Sequence, residues 1–320
     1  MNDSNIPLVS IVLCTYNGEK YLQAQLDSLI VQTYKNIEII IVDDFSKDNT
    51  RSILSNYQAL YPFIKVFLNS ENIGFNKNFE KAIGLAGGEF VAICDQDDIW
   101  DLNKLEELTG NIGDKGVIFS NSRLIDENSS PTGKLLLEFT SFSAITYRSI
   151  LINNFVTGHT ILARSTFIKA ILPFSENGYY DWWIGFVAIY NNQLVFLNKT
   201  LTSYRIHSSS VIQKEVSLAD RNSLGLSLVN YKSCKSQIET FADYLKNTQE
   251  NRFIKPLISL YSKKTTAIQR TFILMFLLYY YNILFPLHKR RKITSTTRFK
   301  IVNGYLKDVL ECKLQVLGFI

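Results

Sequence analysis

Three carboxylates follow an apolar run in the segment FVAICDQDDIW. Residues 90–94 have the composition of a buried strand, and Asp95, Asp97 and Asp98 come directly after it. Like charges this close repel and raise one another's pKa values unless a positive charge lies between them. On an extended backbone the side chains of Asp95 and Asp97 point the same way, which suits a hard divalent cation that also binds phosphate oxygens. A cation bridging a diphosphate would account for the cluster.

The same carboxylates have a simpler explanation in local structure. Asp101 could cap the helix predicted for LNKLEELTG, and Asp98 could form a turn before it. Short DxD-like strings are frequent in sequences. The cluster alone therefore leaves both interpretations open.

A second acidic pair, Asp43 and Asp44, stands in VDDFSKDNT after another apolar run. In nucleotide-binding α/β folds an acidic residue at this place can accept hydrogen bonds from a ribose or a base. Tyr16 in CTYNG could stack on the base, although helix capping and ordinary packing are competing interpretations. No GxGxxG follows the first strand and no Walker GxxxxGK[ST] occurs, so dinucleotide-binding and P-loop interpretations are weak.

Alternating strands and helices are predicted to position these residues. β-branched and aromatic residues make up nearly continuous runs at residues 8–14, 37–43, 63–68, 90–94 and 116–120, as in parallel strands that are covered on both faces. Amphipathic helices are predicted at residues 19–32, 48–60 and 76–86. This alternation predicts βαβ units and an α/β fold with a doubly wound, mostly parallel sheet. Ligands bind beyond the carboxyl ends of such strands, where the polar clusters fall, so we expect one site built from separate loops.

Composition favours a cytoplasmic globular protein. The chain has 320 residues, of which 46% are hydrophobic and 20% are charged, enough for a large α/β domain and an appendage. Its N-terminus, MNDSNIPLVS, lacks the basic start and apolar core of a signal peptide. The cysteines form no CxxC pair, which disfavours a zinc site or a disulfide framework and favours a reducing compartment. They are Cys14, Cys94, Cys234 and Cys312.

The last hundred residues differ from the rest in charge. Residues 214–320 contain 18 Lys and Arg against 7 Asp and Glu, whereas residues 1–213 contain 16 against 22. We therefore predict a domain at residues 1–213 and a basic helical region at residues 214–320. From residue 121 the domain is predicted to have irregular short strands and helices, such as a strand at LVFLN, residues 194–198. The apolar run at residues 271–287, which precedes HKRRK, is at the lower length limit for a bilayer span. This region fits contact with an anionic membrane surface better than it fits a transmembrane span. Packing against the first domain, or against a second subunit in a homo-oligomer, is the other interpretation. Nucleic acid is not expected, since no aromatic and basic groove pattern accompanies the charge.

Four segments in order resemble the family 2 glycosyltransferases of GT-A fold. They are residues 9–50, residues 71–100, YDWWIGFVAI and LTSYRIHSSSV, and together the resemblance covers about residues 7–212. The sequence looks most similar to bacterial rhamnosyltransferase-type enzymes of cell-surface polysaccharide assembly. The resemblance implies inverting, Mg2+- or Mn2+-dependent transfer of a sugar, with rhamnose expected, from dTDP-rhamnose or a UDP-sugar. The acceptor would be a saccharide that could be carried on a membrane lipid at the inner face of the cell membrane.

The resemblance also implies roles for individual residues. Asp181 in YDWW matches the catalytic base, which takes a proton from the attacking acceptor hydroxyl. Asp97, Asp95 and His207 match metal ligands, with Asp95 also near the donor ribose or sugar. The residues that match nucleotide and donor contacts are Thr15, Tyr16, Asn17, Asp43, Asp44, Asn72, Gly74, Asn78, Asp95 and Arg205.

Two positions depart from the family pattern. Many relatives carry a His before the base and a Cys near the start of the GHTILAR strand, where this chain has Tyr180 and His159. Both positions face the acceptor or the diphosphate in the family, so the acceptor stays unidentified. His159 could contact a phosphate or simply pack.

Two other functions are compatible with the fold. A non-catalytic protein that binds sugar nucleotides or saccharides is disfavoured because Asp95, Asp97 and Asp181 are all present. An α/β nucleotidyltransferase would use the same two-carboxylate metal chemistry but would need a nucleoside triphosphate. Turnover and product analysis separate these alternatives from a glycosyltransferase.

Overall fold

The chain divides into two compact units. A computed structural model describes residues 6–138, 142, 145–176, 178–207, 228–262, 266–284 and 294–316. The first unit comprises Met1–Thr140, Phe155–Glu176 and Val187–Ile206, and the second comprises Ser141–Asn154, Asn177–Phe186 and His207–Ile320. The domain boundary predicted at residue 213 lies outside the described residues.

The first unit is built on one mixed sheet. Its strands in the described part of the chain are β1 Val9–Thr15, β2 Ile37–Asp43, β3 Ile64–Leu68, β4 Phe90–Cys94, β5 Ile99–Trp100, β6 Val117–Ile125, β7 Pro131–Leu135, β8 Ile161–Arg164 and β9 Leu194–Arg205. Their order in the sheet is β3-β2-β1-β4-β8-β6-β9-β5, with β7 paired to β6. Strands β3, β2, β1 and β4 are parallel, β6 and β9 are parallel, and the remaining pairings are antiparallel.

Helices between the strands cover the sheet. They are α1 Leu22–Ile30, α2 Thr50–Leu60, α3 Phe75–Leu85, α4 Lys104–Asn111 and α5 Ser165–Ala170. Apolar side chains of β1, β2 and β4 are fully buried together with Leu22, Leu26 and Leu29 of α1. Because these strands are covered by helices, nearly every residue along them is apolar, which is the pattern that the sequence shows.

Most predicted strands and helices are confirmed, and β2 and β4 have the predicted bounds. The predictions are wrong for the length of two strands. β6 extends to Ile125 and β9 to Arg205, well past the apolar runs at residues 116–120 and 194–198. The extensions contain buried polar residues such as Asn121, Ser122 and Thr202, which hydrophobic periodicity does not mark as strand. The capping role suggested for Asp101 is also wrong, because its carboxylate pairs with Arg123 and the α4 N-cap residue is Asn103.

The second unit is mainly helical. It contains a 3-10 turn at Tyr147–Ile150 and the helices α7 Leu228–Leu245, α8 Asn251–Tyr261, α9 Ala267–Tyr279, α10 Tyr281–Leu284 and α11 Ser295–Val316. The helix α6, Tyr180–Tyr190, starts in this unit, and there Phe186 stacks on Phe241 of α7 with ring centroids 4.1 Å apart. Among the described residues, no helix is both long enough and apolar enough to cross a membrane. The basic segment HKRRK lies outside the described residues.

Candidate active site

Hydrogen bonds join the loops that follow β1, β2 and β4. The side chain of Gln96 accepts from Tyr16 N at 2.9 Å and donates to Tyr16 O at 3.2 Å. Asn17 N donates to Ser46 Oγ at 2.9 Å, and Asn17 Oδ1 accepts from Lys47 N at 2.8 Å. Asn17 has a φ of 49°, a left-handed conformation that Asn tolerates better than most residues. These loops therefore form one continuous rim, on which the Tyr16 side chain is 49% exposed.

Asp43 is buried at the end of β2. Its carboxylate accepts from Arg51 Nε at 2.8 Å, from Ser46 N at 3.0 Å and from Thr15 Oγ1 at 3.1 Å. Ser46 Oγ donates to the same carboxylate at 2.5 Å. Asp43 thus holds the loop after β2 and the end of β1 together.

Asp44 organises the loop after β3. Its Oδ1 accepts from Asn69 Nδ2 at 2.9 Å and from Ile73 N at 2.8 Å, and its Oδ2 accepts from Gly74 N at 2.9 Å. Gly74 has a φ of 81°, which a residue with a Cβ adopts only with strain. The carboxylate and the glycine together fix the entry into α3.

The two asparagines predicted in this region make different contacts. Asn78 is buried, accepts from Asn69 Nδ2 at 2.9 Å and donates to Val42 O at 2.8 Å. Asn72 makes longer hydrogen bonds, to Asp44 O at 3.3 Å and from Gly74 N at 3.2 Å. Both residues support the same loop.

Asp95, Asp98 and His159 converge beyond β4. One ligand atom from each lies within 4.8 Å of the others. His159 Nδ1 is 3.7 Å from Asp95 Oδ2 and 3.7 Å from Asp98 Oδ2, while its Nε2 is 2.8 Å from Ser122 Oγ. The imidazole is buried and stacks on Tyr204, with centroids 4.7 Å apart. When Nε2 donates to Ser122, Nδ1 presents its lone pair to the two carboxylates.

Burial perturbs the ionisable groups of this cluster. Asp98 is fully buried, and burial, followed by the nearby Asp97 and Asp95 carboxylates, raises its pKa well above the usual value. Burial also lowers the pKa of His159, which keeps the imidazole neutral at pH 7. The site holds more negative charge than its surroundings easily accommodate.

Lys104 lies beneath the cluster, fully buried. Its Nζ donates to His159 O at 2.6 Å and to Thr202 Oγ1 at 2.9 Å, and lies 3.6 Å from the centroid of the Trp100 ring. Burial lowers the pKa of Lys104 to about 7. Lys104 thus fixes the backbone of His159 from below.

The three converging side chains fit a divalent cation. Asp98 Oδ2 is buried and has no hydrogen-bond partner among the described residues, although buried carboxylate oxygens are normally satisfied. Two carboxylate oxygens and a neutral imidazole nitrogen are common ligands of Mn2+ and similar ions. Asp95 is one of the three converging side chains and Asp97 is not, and the metal-binding roles of both stay predictions.

Arg205 is buried at the end of β9. Its guanidinium donates to Asp97 O at 2.8 Å and to Ser129 Oγ at 2.8 Å, and lies 4.5 Å from the centroid of the Tyr21 ring. Its backbone N donates to Asp98 Oδ1 at 3.1 Å. Arg205 therefore shapes the DQDD turn, and the donor contact predicted for it stays a prediction.

Two predicted residues belong to the second unit. Asp181 lies in the first turn of α6, where its Oδ1 accepts from Trp182 N at 2.7 Å. Trp182 Nε1 donates to Ile150 O at 2.5 Å, which anchors this turn. His207 is half-buried. The catalytic role of Asp181 and the metal-binding role of His207 stay predictions.

Comparison with known proteins identifies the family. The family described as Glycosyl transferase family 2 matches residues 10–172, slightly more than half of the chain. The chain is a family 2 glycosyltransferase. The match includes every strand of the parallel half of the sheet together with the Asp95, Asp98 and His159 cluster.

Individual relatives are also glycosyltransferases. WfgD of Escherichia coli, named as a UDP-Glc:alpha-D-GlcNAc-diphosphoundecaprenol beta-1,3-glucosyltransferase, is 28% identical over 246 residues, 75% of this chain and 87% of WfgD. An uncharacterised glycosyltransferase of Rickettsia typhi is 31% identical over 218 residues, 63% of this chain and 65% of that protein. Together with the family match, these relatives show that the chain is a glycosyltransferase.

Solved structures confirm the GT-A fold. TarS of Staphylococcus aureus in complex with UDP-GlcNAc superposes with a TM-score of 0.57 at 18% identity, covering 97% of this chain and 92% of TarS. The mannosyltransferase PcManGT of Pyrobaculum calidifontis, with GDP-Man and Mn2+, gives a TM-score of 0.55 at 14% identity, covering 97% and 88%. At these identities the likeness concerns the fold alone.

Sequence reasoning assigned no role in the site to Asp98 or Lys104 and left His159 undecided. Asp98 could be part of the acidic cluster or a turn residue, and Lys104 falls in an ordinary amphipathic helix pattern. The available signal was a third carboxylate directly after Asp97 and a histidine at the start of an apolar strand. The antiparallel pairing of β8 with β4 brings His159 beside the carboxylates, and Lys104 reaches them through its contacts with His159 and Thr202.

Proposed function

We propose that this family 2 glycosyltransferase carries out inverting, metal-dependent transfer of a hexose from a nucleoside diphosphate onto a lipid-carried saccharide at the cytoplasmic face of the membrane. The observation that carries the proposal is the cluster of Asp95, Asp98 and His159, in which the buried Asp98 Oδ2 has no hydrogen-bond partner among the residues that the structure describes. A diphosphate leaving group needs a positive charge to stabilise it, and this cluster is suited to hold one.

The donor nucleotide is proposed to lie along the rim of loops after β1, β2 and β3. Tyr16 exposes its ring there and is available to stack on a base. Asp43 and Asp44 are buried, so their contribution is to hold the loops whose backbone groups face the nucleotide. A nucleotide bound in this way would bring its diphosphate towards Asp95.

Asp95, Asp98 and His159 would hold the cation, with Asp97 and His207 as further ligands implied by the family resemblance. When bound, the cation supplies Lewis-acid stabilisation of the charge that develops on the departing diphosphate. Asp181 accepts the proton of the acceptor hydroxyl as that oxygen attacks the anomeric carbon from the face opposite the diphosphate. Attack from the opposite face inverts the configuration at that carbon.

Two donors are supported by separate observations. The resemblance of the motifs to rhamnosyltransferase-type enzymes favours dTDP-rhamnose. The similarity to WfgD, whose name specifies UDP-Glc and an undecaprenyl diphosphate acceptor, favours UDP-glucose. The proposed nucleotide contacts accept either donor. The assay with both donors therefore identifies which sugar is transferred.

The test is transfer by the purified full chain. The protein is incubated with Mn2+, a GlcNAc-diphospho-lipid acceptor and either dTDP-rhamnose or UDP-glucose, and the product linkage is determined by NMR. We expect transfer from one donor with inversion, loss of activity in EDTA, and a 100- to 10,000-fold loss in Asp181→Asn, the range for removal of a general base. Asp243→Asn, at an exposed carboxylate of α7, serves as the matched control and should retain activity.

Several results would overturn the proposal. A product with retained configuration, or full activity in Asp181→Asn, would exclude the proposed role of Asp181. Unchanged activity in EDTA would exclude the metal. Nucleotide binding without transfer from either dTDP-rhamnose or UDP-glucose would exclude both proposed donors.

A further inference from the structure

One face of α9 carries large apolar side chains that are exposed to solvent. Residues four, three and four positions apart lie on one stripe of a helix. The stripe consists of Ile268, Phe272, Met275 and Tyr279, which are 84%, 62%, 64% and 82% exposed. Ile273 and Leu277, on the opposite face, are fully buried. The helix is therefore apolar on both faces, and only one of them is covered within the second unit.

The outer stripe is larger than ordinary surface exposure explains. Single exposed apolar residues are common on soluble proteins, but contiguous patches mark interaction sites. The stripe covers three turns of one helix and continues into a groove of about 1240 Å3 between α8 and α9. Phe272, Met275, Phe276 and Tyr279 form the apolar side of this groove.

Cationic side chains border the same groove. Lys246 and Arg252 line it together with Phe272, and Lys255 lines an adjoining depression with Arg252 and Phe272. Within the part of the chain that the structure describes, Lys246 pairs only with Asp243, where both side chains are exposed and the interaction is weak. Among the described residues, neither Arg252 nor Lys255 forms an ion pair. Glu250, also in the groove, is engaged by Arg148 at 2.7 Å.

We propose that the outer stripe of α9, together with Lys246, Arg252 and Lys255, docks this protein on an anionic phospholipid bilayer. An apolar stripe flanked by Lys and Arg is the composition of helices that lie in the plane of the interface, with their apolar side chains below the head groups. Cations beside the stripe then meet the negative head groups. This docking does not depend on the donor, acceptor or metal proposed above.

Charge favours a membrane over a second copy of this chain. A two-fold contact through the stripe would bring Arg252 and Lys255 of both copies to one interface, where their like charges repel. Residues 214–320 as a whole have 18 basic against 7 acidic residues, so the repulsion is not local to these two side chains. An anionic membrane surface would instead attract these basic side chains.

The test is co-sedimentation of the full chain with vesicles. Vesicles of pure phosphatidylcholine are compared with vesicles that contain phosphatidylglycerol. We expect binding only to the anionic vesicles, and weaker binding in high salt. Each cation near the surface contributes about fivefold to the partition coefficient, so Arg252→Gln with Lys255→Gln should lower it about 25-fold. Phe272→Ser with Tyr279→Ser should lower it at least tenfold.

Matched variants in the first unit control for loss of charge and apolar area. Leu60→Ser removes a side chain that is 71% exposed on α2, and Lys134→Gln removes an exposed charge on β7. Both should bind vesicles like the parent. Thermal unfolding of every variant should match the parent, because the changed side chains are exposed.

Three outcomes would overturn the proposal. Equal binding to neutral and anionic vesicles would exclude the role of the cations. An equal loss of vesicle binding in Leu60→Ser and Lys134→Gln would exclude the stripe as the docking surface. A dimer in sedimentation equilibrium that Phe272→Ser with Tyr279→Ser converts to a monomer would assign the stripe to a second copy.

Discussion

Replacing Asp44 by Asn should weaken the hydrogen bonds that hold the loop after β3 and destabilise the protein. The Asp44 carboxylate is 4% exposed and accepts three hydrogen bonds, from Asn69 Nδ2, Ile73 N and Gly74 N. An Asn side chain keeps the oxygen that faces Asn69 and Ile73. Its amide nitrogen takes the other position and faces the Gly74 N–H, so two donors oppose each other.

The expected cost follows from these three contacts. The two retained hydrogen bonds change from charge-assisted to neutral, which costs about 1 kcal/mol each. The half-buried Gly74 N–H loses the Asp44 oxygen and keeps only Asn72 Oδ1 at 3.2 Å, which costs about 1 kcal/mol. The free energy of unfolding should therefore fall by roughly 3 kcal/mol. For a unit of this size that corresponds to a decrease in melting temperature of about 6 to 12 °C.

Denaturant unfolding and amide hydrogen exchange test this expectation. Asp44→Asn should lower the unfolding midpoint and speed exchange most strongly at residues 69–78. Asn72→Ala is the matched control, because it removes only the hydrogen bonds of 3.2 and 3.3 Å in the same loop and should cost less than about 1 kcal/mol. Parent-like stability of Asp44→Asn combined with lost nucleotide affinity would refute the reasoning and place Asp44 in contact with the ligand.

Two further predictions concern the buried charges beneath the site. In the unfolded chain Lys104 stays protonated up to about pH 10.5, whereas burial lowers its pKa in the folded protein to about 7. Between these two values the unfolded state binds more protons, so the free energy of unfolding rises with pH, by at most about 1.4 kcal/mol per pH unit. Lys104→Met should flatten that rise in denaturant midpoints measured at pH 7 and pH 9, and an unchanged slope would contradict the assignment. Because burial raises the pKa of Asp98, its contribution to stability falls as pH rises above the usual carboxyl pKa. Asp98→Asn should therefore stabilise the metal-free protein at pH 7 and reduce the thermal shift that Mn2+ produces; a larger shift would contradict its role as a ligand.

The parallel half of the sheet could be predicted from sequence because its signal is local. Residues 37–43 and 90–94 are almost uninterrupted apolar runs, and each is a strand with those bounds. β9 was predicted at less than half its length because Thr200, Thr202 and Ser203 carry no hydrophobic pattern. Their place in the sheet comes from pairing with β6, a contact between residues about 80 positions apart.

The site shows the same division between local and distant information. Asp95 is marked by its place directly after a strand, so its part in the cluster could be anticipated. His159 is 64 residues further along and reaches the cluster only through β8, while Lys104 is interpretable only once its buried contacts with His159 and Thr202 are known. A local sequence pattern identifies the loop that carries one side chain of the cluster. It does not identify the side chains that other loops contribute to the same cluster.

Most residues that the motifs single out are positioned to hold loops together. Asp43 and Arg205 are at most 2% exposed, and each engages several protein groups. By contrast, Tyr16 is 49% exposed, and the Asp95 side chain is 34% exposed. A ligand at the rim would therefore meet few side chains directly and many backbone groups whose geometry the buried residues fix. Substituting a buried motif residue should change nucleotide affinity mainly through the loop it holds, and for that reason stability must be measured beside affinity.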